Sequence, residues 1–166
     1  MRILVLGSVG AGKTTLALKI SEKFGLPVIS SDEIVWDSEW KRRSGEEVGK
    51  KLKFFKENDS WIFEGTLARN FVERLGLDAD VLILLDYSKR IIFRRIFSRY
   101  RRGRVEKSAY GKLWSLCNLV FWMIRYSSKE YFDYVNGVDG ARVFVLRNEG
   151  DELVLFEKLV ECCSRF

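Results

Sequence analysis

Residues 2–15 read RILVLGSVGAGKTT. The first five, RILVL, are short, β-rich and apolar on both faces, as a fully buried strand must be. The next eight, GSVGAGKT, fill the pattern G-x-x-x-x-G-K-[ST] with Gly7, Gly12, Lys13 and Thr14. Glycines at 7, 10 and 12 let the backbone curl inward, so that its N–H groups approach an anion without interposed side chains. The loop runs straight into LALKISEKF at 16–24, a helix-like run with Leu16, Ile20 and Phe24 on one face and Gly25 as a stop. A helix N-terminus offers unpaired N–H groups and a favourable dipole to a phosphate. In such a loop the lysine reaches the β and γ phosphates of a nucleoside triphosphate and the threonine hydroxyl binds Mg²⁺. Strand, loop and helix agree, so ATP and Mg²⁺ are the expected cofactors.

Working outward, Leu26–Ser30 reads as a second strand. The box Ser44-x-x-Glu47 opens a helix with Val48, Leu52 and Phe55 on one face. Trp61–Phe63 is a third strand and Leu67–Leu75 a helix ending at Gly76. Asp80–Leu85 is a fourth strand, a basic helix spans about Ser88–Arg102, and one or two helices cover about Ser108–Val135. Arg142–Leu146 is a fifth strand and Glu152–Cys163 a closing helix. Strands apolar on both faces that alternate with helices predict a parallel sheet covered on two sides. The expectation is a three-layer α/β/α P-loop NTPase fold, a five-stranded parallel sheet of order 2-3-1-4-5 with a helical lid. One domain over 1–166 is expected, with an acceptor-binding segment at about 33–75 and a basic lid at about 95–130.

With 47% hydrophobic residues the chain can bury a full core, and a single proline without repeats argues against disorder or a solenoid. The formal charge of +6 favours anionic partners. The excess is concentrated: no acid lies between Asp86 and Glu106, while Lys89, Arg90, Arg94, Arg95, Arg99, Arg101, Arg102 and Arg104 do. Three cysteines (117, 162, 163) and no histidine make a zinc site implausible and suit reduced thiols in the cytoplasm. No signal peptide is read at the N-terminus, and LWSLCNLVFWMI at 113–124 is shorter than the ~20 residues of a membrane span. That run reads as a buried helix, so no membrane partner is expected, and the protein is read as a monomer or homodimer.

Carboxylates at strand ends come next, because ligands of parallel sheets gather there. Asp86, closing VLILLD, is a candidate Walker-B acid, but Tyr87 and Ser88 follow it where a motor ATPase carries glutamate. Asp32 lies just past the second strand in SSDEIVW. Glu64 and Gly65 follow the third in WIFEGTLAR, with Arg69 five residues on. On the basic helix Arg95, Arg99 and Arg102 share a face, Ile92 and Ile96 form a core stripe beside it, and Arg101 and Arg104 belong to solvent. Arginines on the phosphate edge suit a transferring phosphoryl group.

The series GSVGAGKTTLA, SSDEIVW, WIFEGTLAR and LILLDYSKRIIFRRIFSR resembles the adenylate-kinase-like P-loop kinases, most of all the group known as DNA topology modulation proteins. The resemblance implies that Gly7, Val9, Gly10, Ala11, Gly12, Lys13, Thr14 and Thr15 hold the ATP phosphates. It implies that Asp32 and Glu64 face the acceptor and the Mg²⁺ shell, Asp32 through water, and that Arg69 binds the acceptor. Arg95 would lie near the adenine, Arg99 on the phosphates, and Arg125 would return from the far side of the lid. Residues 147–150, Asn148 among them, would border the adenine. Lys13, Asp32, Arg99 and Arg125 form the implied catalytic set. Three positions depart from the group: Glu64 replaces aspartate, Thr66 asparagine and Ser88 proline. The D-G-x-P-R signature of adenylate kinases is absent. The expected activity is a Mg-ATP-dependent kinase acting on a nucleotide, nucleoside or other small acceptor. The alternative is a nucleic-acid-binding NTPase or switch, in which the basic helix tracks a strand with Phe93, Phe97 and Tyr100, followed by Tyr110 and Trp114.

Overall fold

A computed structural model describes residues 1–39, 41–66, 70, 78–101, 117–121, 123–124, 128–138 and 140–163. Five strands, β1 (Arg2–Gly7), β2 (Val28–Ser30), β3 (Trp61–Glu64), β4 (Val81–Leu85) and β5 (Arg142–Leu146), form one sheet in the order β2-β3-β1-β4-β5. Every pairing is parallel. The described helices are α1 (Lys13–Phe24), α2 (Ser31–Val35), α3 (Gly45–Glu57), α4 (Lys89–Arg101), α5 (Ser128–Asn136) and α6 (Gly150–Cys163). Residues 117–121 are helical as well. The architecture is the α/β/α arrangement expected from the strand and helix alternation.

Side-chain alternation along the central strands builds the two outer layers. Ile3 and Val5 of β1 face one way with Ile62, Val81 and Ile83, against Leu16 and Ile20 of α1, Ile92 and Ile96 of α4 and Leu155 and Leu159 of α6. Leu4 and Leu6 face the other way with Trp61, Phe63, Leu82 and Leu84, against Ile34 of α2, Val48 and Leu52 of α3 and Tyr131 and Val135 of α5. Ile3, Leu4, Val5 and Leu6 are all 0% exposed, which explains why the strand reads as a continuous apolar run.

Boundaries shift where local chemistry intervenes. β2 begins at Val28 because the Leu26 carbonyl accepts a hydrogen bond from Ser21 Oγ (2.6 Å) and closes the end of α1. Gly25 supplies the left-handed residue there (φ 69°). The box at Ser44 forms as read, with Glu47 N–H donating to Ser44 Oγ and Ser44 N–H to the Glu47 carboxylate. α6 begins at Gly150 because Asn148 and Asp151 cap one another: Asp151 N–H donates to Asn148 Oδ1 (3.2 Å), and Asn148 Nδ2 to Asp151 Oδ1 (3.0 Å). The short α2 and an antiparallel bridge between Trp36 and Arg42 have no counterpart in the sequence reading. The helix read over 67–75 falls outside the described residues except for residue 70, and most of the lid falls outside them too. No helix among the described residues is long and apolar enough to cross a membrane.

At the sheet edge remote from the loops, Asp80 accepts from the Arg2 N–H (2.7 Å) and from Arg2 Nη2 (3.0 Å), tying β1 to the start of β4. Burial pushes the Asp80 carboxyl up, but the two hydrogen bonds and the charge of Arg2 outweigh it and leave it below the ordinary carboxylate value. A lowered carboxylate stabilises the fold above its unfolded-state pKa, and that contribution is lost as pH falls through the folded value. Asp80→Ala is therefore expected to cost about 1–2 kcal/mol in urea unfolding at neutral pH, discounted for the partial exposure of Arg2. The gap from the parent should narrow in acid; a gap independent of pH would show that the pair contributes nothing through charge.

Candidate active site

The loop between β1 and α1 sits where the strands end. Gly12 is the N-cap of α1 in the left-handed region (φ 100°), and no side chain accepts from the first turn. The leading N–H groups of the helix are therefore left to an incoming anion. At Gly10 the backbone is also left-handed (φ +79°), and a Cβ there would lie 2.7 Å from Ile96 Cγ1. Only glycine lets α4 pack this closely on the loop.

Lys13 folds back over the loop and donates from Nζ to the Ser8 carbonyl (3.0 Å). The residue is only 9% exposed. Burial pulls its pKa below the ordinary lysine value, Arg99 pulls the same way, and the carboxylates of Glu64 and Asp32 oppose the shift. Beside it the Thr14 hydroxyl donates to Glu64 Oε1 at 3.1 Å. Glu64 closes β3 and is 2% exposed, because the register Val5↔Glu64 sets it level with the start of the loop. Gly65 follows at φ +131°; a Cβ there would collide with Ser31 Oγ, so the chain turns away from β3 only with glycine at this point.

These groups open onto a cleft of about 590 Å³. Its walls include Val9, Gly10, Gly12, Lys13, Thr14 and Thr15 from the loop, and Asp32, Glu64 and Thr66 from the strand ends. Arg94, Arg95, Ser98 and Arg99 of α4 close the far side with Leu119. A second hollow of about 430 Å³ lies on the other flank of the loop, between Thr15, Leu16 and Lys19 of α1, Leu85, and Glu149 and Glu152. Ala11, Gly12 and Arg95 border it too. Arg95 thus belongs to both cavities. Its Nη1 donates to the Ala11 carbonyl (2.6 Å) and its Nη2 to Glu149 Oε1 (3.3 Å).

Several candidates of the sequence thus meet in one place: Lys13, Thr14, Asp32, Glu64, Arg95 and Arg99. Arg69, Arg102, Arg104 and Arg125 lie outside the described residues. Asp86 does not line the cleft. Its N–H donates to the Leu146 carbonyl (2.9 Å) and its carboxylate lies 3.5 Å from Arg147 Nε, so it serves the junction of β4 with β5. The acid beside Thr14 is Glu64. Asn148 spends its side chain on Asp151, and Glu149 and Glu152 are the residues of that segment that reach the second hollow. Sequence reasoning also passed over Arg94 and Ser98 as site residues. Their signal was present, since 94, 95, 98 and 99 share one helical stripe.

Among the described residues no group of three or more His, Cys, Asp and Glu could hold a metal ion. The donors at hand are hard oxygens, the Thr14 hydroxyl with the Glu64 and Asp32 carboxylates on the same cleft. That set suits Mg²⁺, which keeps several waters and is held by one or two carboxylates plus substrate phosphates.

No family model matches the chain. In sequence it is similar to adenylate kinase of Kosmotoga olearia, 27% identical with 72% of this chain and 66% of that protein covered. It is also similar to adenylate kinase of Archaeoglobus fulgidus, 35% identical over 45% of this chain and 33% of that protein. The chain thus spans between a third and two-thirds of the length of these two relatives. In fold it is similar to deoxyadenosine kinase from M. mycoides, solved with products dCMP and dCDP (TM-score 0.59, 20% identity, 97% of this chain and 100% of that one). It is likewise similar to shikimate kinase from Bacteroides thetaiotaomicron (TM-score 0.55, 20% identity, 99% and 98%).

Proposed function

We propose, from the premise of an adenylate-kinase-like P-loop fold, that this protein is a small Mg-ATP-dependent kinase that passes the γ-phosphoryl group to a small hydroxyl- or phosphate-bearing acceptor. The observation that carries the reading is the cleft itself. A buried lysine on a glycine loop, a Thr14–Glu64 pair and three arginines converge on the same space as an unburied strand-end carboxylate, Asp32.

In this reading the N–H groups at the start of α1 hold the β phosphate, and Lys13 exchanges the Ser8 carbonyl for phosphate oxygens. Thr14 and Glu64, with Asp32 through water, would hold the Mg²⁺, which when bound would neutralise phosphate charge. Asp32 orients the acceptor oxygen and takes its proton as the O–P bond forms and the bond to ADP breaks. Arg99 faces the charge on the moving oxygens, the role that the resemblance implies for Arg125 too. The second hollow, with its apolar Leu16 and Leu85, takes the donor base, and lid closure would exclude water that otherwise hydrolyses ATP. ADP formation measured across nucleotides, nucleosides and small hydroxylated metabolites tests the reading. At least one acceptor should raise ADP release well above the water rate. Mg-ATP binding with no acceptor among them would overturn it.

A second reading has its own observation. On the outer side of α4 the rings of Phe93 and Phe97 stack (centroids 6.4 Å, 9° between planes), and Phe97 stacks on Tyr100 (6.4 Å, 26°). Phe93 and Phe97 are 48% and 43% exposed, and the exposed Arg90, Arg94 and Arg101 run alongside. An aromatic stripe flanked by arginines suits a single strand, giving a nucleic-acid-binding NTPase or switch. This reading requires oligonucleotide affinity that falls steeply with salt; a shallow slope and weak binding would remove it.

A further inference from the structure

Tyr87 follows the fourth strand and is 5% exposed, yet it belongs to neither wall of the cleft. Its ring lies beneath the Arg95 guanidinium, with Cζ 4.2 Å from the ring centroid. Its hydroxyl donates to Glu152 Oε1 (3.3 Å), whose other oxygen pairs with Lys19 Nζ (2.8 Å). Burial raises the phenol above its ordinary value, so at neutral pH it remains a donor to that carboxylate. The ring is therefore fixed at two points, by packing beneath Arg95 and by a tether to α6.

Arg95 is the wall that the cleft and the second hollow share. Two contacts hold its edges, the Ala11 carbonyl and Glu149, but Glu149 is 75% exposed and an ion pair of that kind is weak. The Tyr87 ring adds a third contact, since cation and ring face attract one another most strongly where water is excluded. A base entering between Leu16, Leu85 and Arg95 would meet the guanidinium that the ring supports.

We propose that Tyr87 is a positioning residue for the donor nucleotide: its ring holds the Arg95 guanidinium as a flat shelf on which the base stacks. The inference rests on the kinase reading in one respect, that a nucleotide's phosphates occupy the loop beside Gly12. It adds a residue that touches no substrate and acts through Arg95.

The test compares Mg-ATP with inorganic tripolyphosphate, which has phosphates but no base, by titration calorimetry on the parent, Tyr87→Leu, Tyr87→Phe and Arg95→Lys. Tyr87→Leu should weaken ATP roughly five- to thirtyfold and change tripolyphosphate by less than about twofold. Tyr87→Phe keeps the ring and should bind both ligands within about threefold of the parent. Arg95→Lys keeps the charge but not the plane and should repeat the selective loss, which preserves the test should the leucine variant fail to fold. Equal weakening of both ligands in Tyr87→Leu would mean that the ring only props the loop, and would overturn the proposal. So would unchanged ATP affinity, or a phenylalanine variant as poor as the leucine. A parent that binds neither ligand would overturn the kinase reading instead.

Discussion

Lys13→Met is expected to lower kcat/KM for phosphoryl transfer by about 10³-fold while leaving the unliganded protein as stable as the parent or more so. On the kinase reading, the catalytic half follows from removing a buried cation that stands beside the phosphate loop. The stability half follows from the depressed pKa. Desolvation of the 9% exposed lysine exceeds what Glu64 and Asp32 return, so charging Lys13 is less favourable in the folded chain than in the unfolded one. Between the lowered folded value and the ordinary lysine value the unfolded chain binds more protons, so this residue's contribution improves as pH rises through that window. Below that window the cost is present in full. Methionine keeps the aliphatic stem and removes it. Steady-state kinetics and thermal unfolding, run on one preparation, check both halves. A variant that retains activity within tenfold, or that unfolds well below the parent, contradicts the assignment.

Glu64→Gln is the second large effect. Glutamine can still accept from the Thr14 hydroxyl, so the 3.1 Å contact has a neutral substitute and the fold should hold. The lost charge should raise the Mg²⁺ concentration for half-maximal activity by about 10–100-fold, the usual consequence of altering a group that supports a metal. Asp86→Asn is the control: an acid paired with Arg147 and absent from the cleft should leave that Mg²⁺ titration within about threefold. If Asp86→Asn shifts the titration and Glu64→Gln does not, the acid beside the loop has been misassigned.

The contrast between these two acids shows what a sequence can and cannot disclose. The loop was legible because glycine, lysine and threonine at fixed spacing have few other uses between a strand and a helix. The sheet was legible because β1 and β4 are buried on both faces and so carry no polar alternation. Asp86 and Glu64 each follow an apolar strand, and spacing along the chain ranks neither above the other. The ranking comes from pairing: Val5↔Glu64 sets one acid against Thr14, while Asp86 meets Arg147 across the β4–β5 junction. Tyr87 was obscure for a similar reason. Its role depends on where Arg95 lies in three dimensions, and α4 and α6 are brought together only when the sheet forms. Arg94 and Ser98 could have been found by following the helical stripe from Arg95 in both directions along α4. Asp32, by contrast, lies on the cleft where a strand-end carboxylate of a parallel sheet belongs.

The bare N-cap at Gly12 has a consequence beyond anion binding. Helices normally complete their own first turn with a serine, threonine or aspartate, and α3 does so through Ser44. α1 omits that residue and so stops one set of hydrogen bonds short of a finished element. On the kinase reading a phosphate from outside the chain would supply the missing part, and occupancy and local order at the start of α1 would become a single variable set by the nucleotide concentration.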